Sequence, residues 1–249
     1  MDETRILDLV FLHGCLRPTI CILYEDSRRG RHLKTLCIDV RDKEFSPGPW
    51  IHNNVDHSAN KLIPVSSPAN GVILVSETNL SYIIGTGNIQ CIEIQPAQVT
   101  CYSKITSDGS RYLLADHRGV LMSLVLIMSP SFDDGSAKVT SLVMDYIGVT
   151  NIAETMNYLD NGVVFIGGIF GDSQLIKLNP SDNQLGNNIE FLDSYVNIGP
   201  ILDMCLVSND KHGGQRQIVT CSGGYKDGSL RIIRSGVGMH EQVDIPPFS

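Results

Sequence analysis

Charge is scarce in this chain. Asp, Glu, Lys and Arg make up 18% of its 249 residues, against roughly 25% in an average soluble domain. The shortage is greatest on the basic side, where 19 Lys and Arg face 27 Asp and Glu for a net charge of −8. A surface that wraps nucleic acid or anionic lipid needs clustered cations, so that class is disfavoured. Long apolar runs are missing too: the longest, Val120 to Met128, is interrupted by Ser123 and falls far short of the ~20 residues of a membrane helix. The acidic start MDETRILDLV lacks the basic-then-apolar build of a secretory signal. The 7 cysteines include no Cys-x-x-Cys pair, and most sit in apolar runs such as Ile20 to Tyr24. That pattern reads as buried free thiols in a reducing compartment, not as a disulfide scaffold or a zinc site. A soluble intracellular protein with enough chain for a substantial core is the expectation.

What is present is a punctuated chain. Short β-branched or aliphatic runs (Val72–Val75, Tyr112–Ala115, Leu121–Ile127, Val163–Ile166, Leu175–Leu178, Ile218–Cys221, Leu230–Ile233) alternate with Gly, Asp, Asn, Ser and Pro, the signature of strands and turns. The segment closest to a helix, Asn151–Leu159, is short and abuts the turn signal Asp160-Asn161-Gly162. One unit recurs: an apolar strand, a polar turn, and a second strand ending in aliphatics. It appears as ICILYEDSRRGRHLKTLCI, VILVSETNLSYII, YLLADHRGVLMSLVL, VVFIGGIFGDSQLIKL and IVTCSGGYKDGSLRII. Marked by Gly30, Asn79, Gly119, Gly171 and Gly228, the turns are 49, 40, 52 and 57 residues apart, which brackets the period of a propeller blade. Segments such as Lys138–Tyr146 and Ile189–Tyr195 fill out four strands per period. The expected fold is all-β, a partial β-propeller of about four to five four-stranded blades over residues 1–235, with 236–249 as a linker. A β-sandwich or barrel is the competing architecture, and the lack of a Trp-Asp dipeptide sets the chain apart from ordinary WD40 repeats.

Catalytic signatures are lacking: no Gly-x-Ser-x-Gly, no Walker-type loop and no His-Glu-x-x-His. Gly85-Thr-Gly87 reads as a hairpin turn, and His52, Asp56 and His57 read as a solvated connection more readily than as metal ligands. Asp-Gly-Ser at 108–110, 134–136 and 227–229 suits tight turns. The basic knot Arg28-Arg29-Gly-Arg31-His32 reads as a solvated hairpin tip. No catalytic residue, metal site or cofactor is assigned. Three turns interleave apolar and polar groups, at Asn157–Gly162, Asn197–Asp203 and Ser222–Gly228. Their matching places in successive units imply one shared rim or channel mouth, where Tyr158 and Tyr225 serve as interface anchors or as padding between blades.

The strings Pro18-Thr-Ile-Cys21, Gly30-Arg-His32, Lys43-Glu-Phe45, Gly48-Pro-Trp50, Gly109-Ser-Arg-Tyr-Leu-Leu114, Tyr158-Leu-Asp-Asn-Gly-Val-Val-Phe165, Gly171-Asp-Ser-Gln-Leu175 and Gly228-Ser-Leu-Arg-Ile-Ile-Arg234 closely resemble the family of DNA damage-binding protein 1. The likeness runs nearly end to end. The large subunits of splicing factor 3b and of the cleavage and polyadenylation specificity factor are more distant relatives. The resemblance implies a non-catalytic adaptor of cullin 4 RING ubiquitin ligases, active in ubiquitination and DNA damage repair in nucleus and cytoplasm. Its partners would be WD40-type substrate receptors and a subunit that recognises ultraviolet lesions, with DNA touched only indirectly and no membrane involved. Of the family's three seven-bladed propellers, this chain looks like the later blades of the first, and the cullin-docking propeller is absent.

Carried over position by position, the receptor-binding surface is Tyr158, Asn161, Ile169, Phe170, Pro200, Ile201, Leu202, Gly224 and Tyr225. The resemblance puts an Arg-Leu pair at Ile169 and Phe170, Val at Leu202, Ala at Gly224 and Phe at Tyr225, which implies altered receptor preference. The alternative readings are a nucleic-acid-associated propeller of an RNA-processing complex, which the acidic balance disfavours, and a propeller enzyme using carboxylates around the channel, for which no pair is recognisable.

Overall fold

The computed structural model describes residues 3–130, 137–179, 188–208 and 216–234. It is built from five antiparallel meanders. The first sheet holds β1 (Glu3–Phe11), β2 (Thr19–Asp26), β3 (Arg31–Asp39) and β4 (Glu44–Val55). The second holds β5 (Lys61–Pro64), β6 (Val72–Val75), β7 (Asn79–Ile84) and β8 (Asn88–Glu93). The third holds β9 (Val99–Lys104), β10 (Arg111–Asp116), β11 (Val120–Pro130) and β12 (Ala137–Val149), and the fourth β13 (Ala153–Asp160), β14 (Val163–Gly168), β15 (Ser173–Leu178) and β16 (Ile189–Tyr195). Among the described residues the fifth sheet has three strands, β17 (Ile201–Ser208), β18 (Arg216–Ser222) and β19 (Ser229–Ile233). The recurring unit of the sequence is the hairpin of second and third strands in each sheet. Asn151–Leu159 supplies β13, not a helix.

The sheets stack face to face in chain order, each turned alike. First strands adjoin first strands (β1 with β5, β9 with β13) and last strands adjoin last strands (β8 with β12), the radial order of a propeller. One apolar cluster joins the first and second sheets through Leu23, Leu33, Leu62 and Leu74. Another joins the second and third through Ile63, Tyr82, Leu114 and Leu124, and a third joins the third and fourth through Leu113, Leu121, Val164 and Ile176. β6 (VILV) and the Tyr112–Ala115 stretch of β10 therefore read as apolar runs without alternation, because both of their faces are covered. Tyr82 and Tyr112 give their hydroxyls to the carbonyls of Ala69 and Pro64, and burial pushes the Tyr82 phenol up to about 12.

Several expectations need correction. Only Cys21 and Cys101 are buried; Cys15, Cys91, Cys205 and Cys221 are exposed, the last two because they lie on the fifth sheet. Burial raises the Cys21 thiol to about 12, which keeps it protonated and inert. The stretch from Trp50 is strand up to Val55, not loop. His32 is not at a solvated tip: it is buried, stacked on Tyr24 at 5.2 Å, with Nε2 3.2 Å from Asp26 Oδ2. His52 Nε2 meets the Gly85 carbonyl, while Asp56 accepts from Ser58 and Asn79. Among the described residues no group of three His, Cys, Asp or Glu could hold a metal. Gly109 has the left-handed φ that its Asp-Gly-Ser turn requires, but Gly228 at φ −65 does not. The Asp134-Gly-Ser136 turn and the linker 236–249 lie outside the described residues.

The outer faces of the first and fifth sheets meet no other described sheet. On the fifth, Arg231 turns toward the fourth sheet to reach Asp172, so Leu230 and Ile232 point the opposite way and are exposed. Such an apolar sheet face is an association surface. Replacing Leu230 and Ile232 together by Lys is expected to reduce concentration-dependent self-association in sedimentation velocity while leaving the melting temperature within about 3 °C. Unchanged association would show that this face is not the sticky one.

Candidate functional site

In a meander, successive turns fall at alternate ends of the sheet, and this rule divides the nine candidate residues. Tyr158 lies near the end of β13 and Asn161 in the turn that follows it, between β13 and β14. Ile169 and Phe170 belong to the next turn, between β14 and β15, at the end where Ala153 pairs with Gly168. The six residue-to-residue steps from Ile152 to Tyr158, at ~3.3 Å each, put about 20 Å between the two groups. A single rim carrying all three interleaved turns is therefore not what the fold builds. The connection from β16 to β17 and the turn from β18 to β19 join the Phe170 end.

At that end the parts converge tightly. The Gly224 N–H donates to the Phe170 carbonyl at 3.0 Å, and the Gly223 N–H to the Pro200 carbonyl at 2.9 Å. Phe170 and Tyr225 meet edge to face, with ring centroids 4.9 Å apart. A Cβ at Gly223 would strike the Phe170 carbonyl, and one at Gly224 would sit 3.1 Å from the Phe170 ring. The glycine in place of the alanine implied by the resemblance thus makes room for the larger Phe170. Ile201 pairs with Ser222, and Leu202 is the extra residue of a bulge, which leaves it exposed.

Beside the two rings opens a cavity of about 460 Å³ lined by the apolar Ile152, Ile169, Phe170 and Tyr225 and by the polar His117, Arg118, Glu154 and Lys226. Arg118 is fixed by the fully buried Asp116: Nε and Nη2 both lie 2.8 Å from Oδ2. The other Asp116 oxygen accepts the N–H groups of Arg118 and Val120. His117 Nδ1 accepts the Gln98 N–H, so its Nε2 is free to donate outward. Tyr225 is 84% exposed and sits at φ +51, a left-handed conformation that costs a non-glycine residue about 1 kcal/mol.

At the other end, Tyr158 is half-buried against the core of the third and fourth sheets. Its hydroxyl accepts the Gly162 N–H at 3.0 Å and its own N–H donates to Ser103. Asn161 lies at φ +50 with its side chain on Asp160. Both line a second cleft, of about 490 Å³, with Arg111, Ile147 and Leu178. Sequence reasoning missed the residues that frame the first cavity, among them His117, Arg118, Ile152 and Lys226. The Asp-His-Arg-Gly turn inside YLLADHRGVLMSLVL was the available signal for two of them.

The family described as RSE1/DDB1/CPSF1 first beta-propeller matches residues 1–210. The chain belongs to that family. It is 45% identical to DNA damage-binding protein 1 of rice over 98% of its own length. Identity is also 45%, over the same share, to DNA damage-binding protein 1b of Arabidopsis thaliana and to DNA damage-binding protein 1 of tomato. The chain spans 22% of the length of these relatives. In this family member the Phe170 end is held by polar stitches from beneath. Asp172 takes both nitrogen contacts of Arg231 Nη2, at 2.8 and 2.9 Å, and the Asn197 N–H. Asn197 in turn donates to the carbonyls of Gly168 and Gly171.

Burial by itself would raise the Asp172 carboxyl, but the Asn197 N–H and the Arg231 guanidinium outweigh it and hold its pKa below the usual carboxylate value. A folded pKa below the unfolded one of about 3.9 means that the stabilisation is complete above pH ~4 and disappears as pH falls through the folded value. Acid titration followed by hydrogen exchange at Gly223 and Gly224 is expected to show this end loosening below pH ~4, and Asp172→Asn is expected to remove that step. Persistence of the step in the variant would assign it to another group.

Proposed function

We propose that the chain is a non-catalytic docking module, the receptor-holding propeller of an adaptor of the cullin 4 ubiquitin ligase type, working in the nucleus and cytoplasm in the response to DNA damage. The observation that carries this reading is Tyr225: a large aromatic held out into solvent on a strained backbone, ring to ring with Phe170, over an apolar-walled cavity. Backbone strain of this kind is retained where function uses it, and aromatic anchors beside pockets dominate protein interfaces. A helical receptor segment laying its apolar face across Phe170, Tyr225 and Leu202 is the favoured mode. The mechanism is recruitment, since a held substrate is brought near the ubiquitin-charged enzyme. Relatives of this chain carry the name DNA damage-binding protein 1, which favours a WD40-type, lesion-recognising receptor as partner. Tyr158 and Asn161 form a separate contact at the opposite end.

The test is capture of that purified receptor by surface plasmon resonance. Tyr225→Ala is expected to weaken binding at least tenfold, the scale of an interface hot spot, and because the side chain is exposed the fold should be unaffected. Tyr158→Ala, measured separately, reports on the other end. Undiminished affinity in Tyr225→Ala would overturn the docking face.

A further inference from the structure

The turn that carries Tyr225 is anchored to more than its own sheet. The residues from Tyr225 to Asp227 form a single 3₁₀ turn with no buried side chain of its own, yet its second and third side chains reach across to the segment that enters β13. Lys226 Nζ donates to the Thr150 carbonyl at 2.7 Å, and Asp227 Oδ2 accepts the Ile152 N–H at 2.9 Å. The Thr150 N–H donates in turn to the Gly119 carbonyl at 2.8 Å, in the β10–β11 turn of the third sheet. On the near side Gly224 is tied to Phe170 of the fourth sheet. Space is tight here as well: a Cβ at Gly171 would sit 2.6 Å from Asp227 Cβ, and one at Gly119 2.6 Å from Lys226 Nζ. Three consecutive sheets therefore determine where one exposed ring stands.

We infer that Lys226 and Asp227 are positioning residues: they clamp the 225–227 turn to the Thr150–Ile152 segment and so present Tyr225 pre-formed for docking. The inference rests on the docking reading above and adds how the anchor is set. A left-handed tyrosine in a free turn would relax to other conformations, and a partner would then have to restore it, losing affinity. With the clamp closed, the ring is held at its contact distance from Phe170 before any partner arrives. The docking face then exists only while the third, fourth and fifth sheets are assembled in register.

The experiment uses the whole chain labelled with 3-fluorotyrosine. The Tyr225 resonance is identified by its loss in Tyr225→Phe, and its ring-current shift from Phe170 reports the clamped geometry. Binding is followed by anisotropy of a fluorescein-labelled amphipathic helical peptide with leucines at i, i+3, i+4 and i+7. In Asp227→Ala and in Lys226→Met the resonance is expected to move toward free 3-fluorotyrosine and peptide affinity to fall about tenfold, the scale on which lost pre-organisation shows. Asp227→Asn keeps an acceptor for the Ile152 N–H and is expected to restore both readouts. A Tyr225 resonance unmoved in the Ala and Met variants, or moved equally in Asp227→Asn, would overturn the clamp. If the unaltered chain binds no peptide while the resonance still responds as stated, the docking reading fails and the clamp stands.

Discussion

Apolar contact between neighbouring sheets is what the rest of this molecule depends on. Among the described residues no sheet has an α-helix to cover it, so each buries its faces against neighbouring sheets, at about 25 cal/mol for each Å² of apolar surface removed from water. Interior strands meet that demand on both sides: β6 is buried at all its positions and β10 at five of six. At the ends of the stack the demand is met less fully, although in the first sheet Ile20, Ile22 and Tyr24 bury themselves against Leu36 and Ile38. There the exposed hydrophobics gather, with Ile6, Phe11 and Phe45 on the first sheet and Met204, Leu206 and Leu230 on the fifth.

On that apolar frame, aspartates in the turns between second and third strands do the fine placement. In the first and third sheets they serve their own turn. Asp26 Oδ1 accepts from residues 28 and 30, and Asp116 Oδ1 from residues 118 and 120, the same two- and four-residue reach. In the fourth and fifth sheets the aspartate turns outward. Asp172 takes Asn197 and Arg231, and Asp227 takes Ile152. The change of target converts a local turn device into stitching between sheets, and it occurs where the aromatic pair Phe170 and Tyr225 stands. A surface meant to hold another protein gains from such rigidity, because ordering costs are met in folding and not in binding.

Much of the architecture was legible in the residues. Short apolar runs between Gly, Asp and Asn gave the strands, and their recurrence every 40 to 57 residues gave the propeller order, because each blade repeats one hairpin. The candidate site was legible only in part. Phe170, Pro200, Gly224 and Tyr225 do converge, but Tyr158 and Asn161 lie a strand's length away. Likeness of turn composition does not say at which end of a sheet a turn falls, whereas counting strands between turns does. The cysteines misled for a related reason: Cys205 and Cys221 sit in apolar strands whose outer face has no described neighbour.

By itself the sequence determined local matters: which segments extend, where the chain turns, and which repeating unit it builds, since these follow from side-chain branching, turn chemistry and period. Only the tertiary structure decided that Lys226 and Asp227 reach segments 76 and 75 residues away, and that one tyrosine is held into solvent while another is folded into the cleft between sheets. Those outcomes depend on how sheets stack in three dimensions, and contacts between residues so far apart in the chain leave no periodic trace in it.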